Sequence, residues 1–228
     1  MRVNDIDTVA KENLMALAAD GKMTYAIWLD LRDKFNRIYG SGSSDGGRSW
    51  SRNILVYASP DTTVCECCKP SLVMMHNRIY AMFRNNLQGK RDLYLVQSED
   101  GGSSFGQAYK LGWGTWALDA CPMDGGGMVL NKKGFPETVW NRKGIIYACS
   151  PGKEERALGH GRNCSLESLE DQAIYAWVEK GNVVILKPDG SKENLGRGQQ
   201  PILKKVGKNQ VLCVWENENH ILKKLIFL

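Results

Sequence analysis

The chain has 228 residues, 43% of them hydrophobic and 24% charged, with 24 glycines and seven tryptophans. This length and apolar content suffice for a full core, and the absence of low-complexity tracts or an obvious linker points to one folded domain rather than a disordered or tethered chain. The formal charge of +5 is scattered, Lys204, Lys205 and Lys208 followed by Lys223 and Lys224 being the nearest approach to a cluster. No nucleic-acid face is therefore expected, and no apolar run reaches the ~20 residues that span a bilayer.

In chain order, Met1 to Asp7 lacks the apolar centre of a secretory leader, so the sequence as written reads as cytoplasmic. Strands are expected near 14–19, 24–30, 36–43, 71–75, 78–84, 92–98, 127–131, 136–141, 144–149, 173–178, 182–187, 201–206, 210–215 and 221–228. Each shows alternation or β-branched and aromatic enrichment between Gly, Asn or Asp turns. Only a short turn near Lys153 to Leu158 has any helical character. An all-β architecture follows.

The strands are organised by a repeat. Ser43-Ser44-Asp45-Gly46-Gly47-Arg48-Ser49-Trp50 and Ser98-Glu99-Asp100-Gly101-Gly102-Ser103-Ser104-Phe105 share the pattern Ser-x-Asp-x-Gly-x-Ser-aromatic. Trp28 precedes Asp45 by 17 positions and Phe83 precedes Asp100 by the same 17, which marks a duplicated unit. Physically, the aspartate can accept bonds from following backbone N–H groups, the glycine supplies positive φ, and the aromatic folds back over the hairpin. A fainter version continues at Trp140, Trp177 and Trp215, each ending a strand before polar residues; the last two units lack the box, leaving Pro188-Asp189-Gly190 as a plain turn. Repeat units are expected at about 13–57, 69–111, 113–165, 166–198 and 199–228, all within one domain spanning 1–228.

These residues resemble the Asp-box, or BNR, repeats of the sialidase (neuraminidase) superfamily. The resemblance is specific at Ser43, Asp45, Gly47 and Trp50, and close at Ser98, Asp100, Gly102 and Phe105. It implies a β-propeller of sialidase type with about four to five blades present, an incomplete version of the family's six. In that family the boxes lie on the blade periphery, remote from the active site, so they are read as structural. Family members are commonly exported or periplasmic, so the resemblance implies a secreted or periplasmic protein if the N-terminus is truncated, and the missing repeats suggest a fragment. An incomplete ring would leave an unpaired edge open to association; the oligomeric state is not set by the sequence.

Seven cysteines include the cluster Cys65-Glu66-Cys67-Cys68 and the separate Cys121-Pro122. Cys67-Cys68-Lys69-Pro70 and Cys121-Pro122-Met123-Asp124-Gly125-Gly126 resemble loops of bacterial sialidase-like BNR proteins of unassigned activity. In a propeller the two loops approach the same end of adjacent blades, so Cys67 or Cys68 can lie near Cys121 and form a disulfide or pack there. Thiolates at this density are also compatible with a soft metal or a reactive thiol, but His76, His160 and His220 are not adjacent, and no metal is assigned. No cofactor motif is present.

The positions just after the repeated aromatics are the candidates for the functional surface: Asp30, Arg32, Arg84, Asn85, Asn141, Arg142, Glu179 and Glu216. A sialidase needs three arginines on the sugar carboxylate, a tyrosine activated by a glutamate, and an acid/base aspartate. The family's Arg-Ile-Pro segment is absent. Asp30-Leu31-Arg32 precedes the first box as an Asp-x-Arg segment does in bacterial sialidases, so the resemblance assigns Arg32 to the carboxylate; Asp30, Asp33 and Asp119 are acid/base candidates among which no motif chooses. Asp124 with Gly125 to Gly127 could shape a polar pocket, or mark a tight bend. Trp113 and Trp116 could stack on a pyranose or cap a blade interface, and Gly159 to Asn163 could bring His160 and Arg162 to the same surface or be a plain loop. Each charged candidate is equally readable as a solvated strand end or salt bridge. The expected partner is a glycan or glycoconjugate. The sequence expectation is a sialidase-like protein that hydrolyses or binds anionic glycans, the alternatives being a non-catalytic carbohydrate- or protein-binding propeller or an inactive fragment.

Overall fold

The structure, a computed structural model, describes residues 2–228, without the side chains of 11–13; Met1, the first residue of the N-terminal stretch read above, lies outside the described residues. The described residues contain no helix. They form nineteen strands: β1 (Ala10–Asp20), β2 (Met23–Asp30), β3 (Arg37–Ser43), β4 (Ile54–Tyr57), β5 (Ser71–Met75), β6 (Arg78–Arg84), β7 (Leu93–Ser98), β8 (Tyr109–Lys110), β9 (Gly127–Leu130), β10 (Pro136–Arg142), β11 (Ile145–Cys149), β12 (Arg156–His160), β13 (Arg162–Leu169), β14 (Gln172–Glu179), β15 (Asn182–Leu186), β16 (Lys192–Arg197), β17 (Gln199–Gly207), β18 (Gln210–Asn217) and β19 (His220–Phe227).

They make five antiparallel sheets, β1-β2-β3-β4, β5-β6-β7-β8, β9-β10-β11-β12, β13-β14-β15-β16 and β17-β18-β19. Sequential antiparallel pairing is the cheapest topology, because each connection is a short hairpin. Trp28, Phe83, Trp140, Trp177 and Trp215 all lie on the second strand of their sheet. That strand is flanked on both sides, which is why β6 and β14 read as nearly continuous apolar runs with Phe83 1% and Trp177 0% exposed.

The chain divides into two compact units, residues 1–125 and 126–228. In the first, Tyr25, Ile27 and Leu29 of β2 pack with Ile79, Ala81 and Phe83 of β6. Its two Ser-x-Asp-x-Gly turns join the third strand of each sheet to the fourth. Asp45 accepts from Ser43 Oγ at 2.8 Å, Ser49 N at 2.9 Å and Ser49 Oγ at 2.5 Å, while Gly47 N donates to Ser43 Oγ at 2.8 Å. Asp100 repeats the set with Ser98 Oγ at 2.8 Å, Ser104 N at 2.9 Å and Ser104 Oγ at 2.6 Å, and Gly102 N donates to Ser98 Oγ at 2.9 Å. These donors hold the Asp45 carboxyl far below the usual carboxylate range and the Asp100 carboxyl at about 2. Gly102 has φ +89°, and a Cβ there would sit 2.1 Å from the Tyr25 ring, whose hydroxyl donates to the Gly102 carbonyl at 3.0 Å.

The second unit packs β13 against β9 and β17, around Val139, Ile146, Leu166 and Trp177 and around Val178, Val183, Leu203 and Trp215. Its sheets are joined by single glycines, Gly161 between β12 and β13 and Gly198 between β16 and β17. Trp177 Nε1 donates to the His160 carbonyl at 3.1 Å and Trp215 Nε1 to the Arg197 carbonyl at 3.2 Å, so each indole pins the crossover beside its own sheet.

Five strands were not expected from the sequence, β4, β8, β12, β13 and β16, and the helical turn expected near 153–158 is instead the approach to β12 and its first three residues. The turn Pro188-Asp189-Gly190 joins β15 to β16, and Asp189 still accepts from Ser191 N and Oγ at 2.8 and 2.6 Å.

Candidate functional site

In the first unit the chain does not cross from sheet to sheet by one glycine. It runs through segment 58–70 after β4 and segment 111–125 after β8, and these two meet the 85–92 loop that follows β6. Three anchors stand out among the contacts that hold them together. The Arg84 side chain, 1% exposed, donates from Nε to the Asp124 carbonyl at 2.7 Å, from Nη1 to the Arg91 carbonyl at 2.6 Å, and from Nη2 to Asp124 Oδ1 at 3.4 Å. Asp92, 6% exposed, accepts from Trp116 N at 2.8 Å and from the Thr115 hydroxyl. Cys67 and Cys121 form a disulfide. The packing is close enough that a Cβ at Gly125 would lie 1.8 Å from the Lys69 carbonyl oxygen, so only glycine fits there.

On this framework Trp113 stands 69% exposed and Met123 79% exposed, with Asp119 and Cys121 also exposed and Asp124 partly so. Trp116 is turned inward, its ring 5.5 Å from the Arg84 guanidinium. Asn85 is fully buried, donating to the Tyr57 hydroxyl at 2.9 Å and accepting from Asn86 N.

The Asp30–Arg32 pair lies at the end of β2. Asp30 is fully buried and accepts from Trp28 Nε1 at 2.8 Å, from Arg32 N at 2.9 Å, and from Arg32 Nε and Nη2 at 3.0 and 2.9 Å. Burial pushes its pKa up, but these donors outweigh burial and hold the carboxyl below its usual range. Arg32 spends its remaining donors on Asp5 Oδ1 at 3.1 Å and Asn53 Oδ1 at 3.2 Å and lies 3.9 Å above the Tyr39 ring. Asp33 is bound to Arg37 and to the Tyr39 hydroxyl at 2.9 and 3.1 Å. The pair is thus a filled bidentate ion pair, the geometry of a structural lock.

The remaining candidates lie in the second unit. Arg142 bonds Glu155 Oε1 at 2.6 Å, both side chains largely buried, and sits 4.1 Å over Tyr147. Asn141 donates to the Gly161 carbonyl at 2.5 Å. Glu179 pairs with Lys192 at the edge of a shallow depression also bounded by Lys180, Asn182, Val184 and Asn194. His160 and Arg162 flank the Gly161 crossover.

One cluster had no sequence signal: Glu137 on β10, Ser150, Arg156 on β12 and Tyr175 on β14. Tyr175 donates to Glu137 Oε1 at 2.6 Å, Ser150 donates to Oε2 at 2.7 Å, and Arg156 bridges the phenol and the carboxylate at 2.5 and 3.1 Å. A tyrosine beside a glutamate is the composition of a nucleophile pair, but Tyr175 is 3% exposed, and burial together with the Glu137 charge drives its pKa well above the ordinary phenol value. The phenol is a structural donor. Among groups suited to a soft metal, the sulfurs of Cys65, Cys67 and Cys68 lie within 4.8 Å of one another, but that of Cys67 is already bonded to Cys121.

The all-β meander sheets define a fold of β-propeller type. No protein-family model and no curated protein sequence matches the chain. Among solved structures, it is similar to an endo-arabinase from Bacteroides thetaiotaomicron, at TM-score 0.51 and 15% identity over 97% of this chain and 95% of that one. It is likewise similar to a Trypanosoma rangeli sialidase, at TM-score 0.54 and 13% identity over 90% of this chain and 44% of that one. A xylan β-1,4-xylosidase from Bacillus halodurans matches at TM-score 0.50 and 12% identity, covering 94% and 50%. The chain therefore spans half or less of the sialidase and the xylosidase, and at these identities the likeness is one of fold.

Proposed function

We propose that this chain is a glycan-binding protein of the sialidase-like propeller type, its 228 residues acting as one domain, which recognises sugars without cleaving them. The observation that carries this reading is Trp113, a residue 69% exposed on a segment tied down by the Cys67–Cys121 bond and the Asp92 and Arg84 contacts. An ordered aromatic face in water offers a pyranose a flat apolar partner at low entropic cost. Asp119, exposed on the same segment, supplies a hydroxyl acceptor. The arabinase, xylosidase and sialidase folds support a sugar partner, and the paired hydrogen-bond sets at Asp45 and Asp100 support reading these turns as Asp boxes.

Three features favour binding over hydrolysis. Arg32, Arg84 and Arg142, the arginines available to hold a sugar carboxylate, are engaged by Asp30, by the carbonyls of Arg91 and Asp124, and by Glu155. Asp30 is ion-paired and held ionised, which disqualifies it as a general acid near neutrality. The Tyr175–Glu137 pair is closed to substrate. The disulfide also supports residence in an oxidising compartment.

The test is a panel of fluorogenic glycosides, sialosides included, beside a titration of intrinsic tryptophan fluorescence with the corresponding sugars. No turnover and a saturable fluorescence change that disappears in Trp113→Ala are expected. Turnover of any substrate would overturn the binding-only reading, and an unchanged titration in Trp113→Ala would overturn the site.

A further inference from the structure

Around the disulfide the chain places two further thiols that neither the fold nor the proposed recognition site employs. Cys65 and Cys68 are free, 1% and 3% exposed. The Cys65 sulfur lies 3.6 Å from that of Cys67 and 3.5 Å from that of Cys68. A sulfur at van der Waals distance from a disulfide sulfur is within reach of it, and exchange proceeds through direct displacement at sulfur. The three positions belong to a Cys-x-Cys-Cys run, so Cys65 and Cys68 have the spacing of a Cys-x-x-Cys pair, which closes readily into a disulfide. Cys121, the far end of the existing bond, is by contrast exposed.

We propose that Cys65, Cys67, Cys68 and Cys121 form a thiol–disulfide exchange centre in which the bond migrates from Cys67–Cys121 to Cys65–Cys68, releasing Cys121 as an exposed thiol open to modification. In the first step the Cys65 thiolate attacks Cys67 Sγ. A Cys65–Cys67 bond forms, the Cys67–Cys121 bond breaks, and the electron pair leaves on Cys121 Sγ, which takes up the proton Cys65 released. In the second step the Cys68 thiolate attacks Cys65 Sγ; the Cys65–Cys68 bond forms and the pair leaves on Cys67, which takes the Cys68 proton. One disulfide and two thiols are present at the start and at the end, so no outside oxidant or reductant is consumed.

The surroundings favour the first step. The hydrogen bond with Cys68 holds the Cys65 thiol below its ordinary range, opposed by burial and helped by the positive charges of Arg91 and Arg84, while the same hydrogen bond and burial push Cys68 up, so that it keeps its proton until Cys65 is consumed in the first step. Cys65 is thereby the nucleophile and Cys68 the resolving thiol. Migration cuts the covalent tether of segment 111–125 and leaves Asp124 and Asp92 contacts as its anchors.

The experiment incubates the folded protein with iodoacetamide without reductant, quenches with acid at intervals, and maps linked and alkylated peptides by mass spectrometry. Carbamidomethyl-Cys121 and a Cys65–Cys68 linkage are expected to grow together as the Cys67–Cys121 linkage declines. In Cys65→Ala, with circular dichroism and melting checked against wild type, Cys121 labelling is expected to fall at least about tenfold because the attacking sulfur is gone. Cys68→Ala should still label Cys121 but stop at a Cys65–Cys67 linkage, which keeps the test decisive if Cys65→Ala does not fold. A Cys67–Cys121 linkage that stays intact with Cys121 unlabelled, or Cys121 labelling in Cys65→Ala at the wild-type rate, would overturn the proposal.

Discussion

In the first unit the chain passes from one sheet to the next through segment 58–70 and leaves the last strand through segment 111–125; in the second it passes from sheet to sheet through Gly161 and Gly198 alone. The two units also fasten their sheets differently. The first closes its third-to-fourth strand turns with a carboxylate and two serines, whereas the second pins its crossovers with the indole N–H groups of Trp177 and Trp215. The contrast explains where chemistry can reside. A one-residue crossover has no room for side chains of its own. A long crossover can carry Cys65, Cys68, Trp113 and Asp119, provided that sheet ends and loops are secured by other means, here the aspartate turns, Arg84 and the disulfide.

The contrast can be broken most severely at the crossover glycines. A Cβ at Gly161 would lie 2.3 Å from the Val178 carbonyl oxygen and 2.4 Å from Trp177, and one at Gly198 would lie 2.2 Å from Trp215. Gly161→Ala and Gly198→Ala are each expected to cost about 3 kcal/mol in urea unfolding, because backbone and a packed indole must move. Gly181→Ala, at φ +80° with open space, should cost only about 1 kcal/mol.

In the first unit the corresponding lesion is Arg84→Met, which strands the carbonyls of Arg91 and Asp124 without their donor. A loss of about 3 kcal/mol is expected, with faster proteolysis within 111–125 as the local readout. Smaller effects should follow from removing single locks: Ser98→Ala, which deletes the acceptor for Gly102 N and a donor to Asp100, and Trp177→Phe, which deletes the donor to His160, each about 1 kcal/mol by thermal melting.

Acid should separate the two kinds of lock. The folded Asp45 and Asp100 carboxyls titrate below their unfolded value of about 3.9, so their contribution is complete above that pH and is lost as pH falls through the folded values, about 2 for Asp100. Exchange of the Ser49 and Ser104 amide protons is expected to accelerate as pH drops from 4 to 2, relative to intrinsic rates. The indole N–H resonances of Trp177 and Trp215, bonded to carbonyls, should hold their positions in that window.

Much of the fold was legible because its signals are local. The Ser-x-Asp-x-Gly turn carries its donors and acceptors within seven residues, and an aromatic on each second strand is forced by burial on both faces. Among the unexpected strands, β4 is the short run Ile54–Tyr57, too brief to show a period, whereas β13 and β16 lack an apolar signal. β16, Lys192–Arg197, is largely exposed, and β13, Arg162–Leu169, opens with polar residues and a register shift between Arg162 and Ser165 that interrupts its period. The site was less legible because partners are remote. Arg84 reads as a strand-end cation, yet its acceptors are residues 91 and 124; Arg32 reads as a sugar-carboxylate ligand or a salt bridge, and Asp30, Asn53 and Asp5 form its cage. Nothing near Tyr175 in sequence announces Glu137.

The most direct test of the account is calorimetric titration of the intact protein and of Trp113→Ala with a glycan selected on an array. The account predicts saturable binding by the wild type, at least about tenfold weaker in a folded Trp113→Ala protein, since loss of one stacked aromatic removes on the order of 1.4 kcal/mol or more. Equal affinity of the two proteins for that glycan would contradict it.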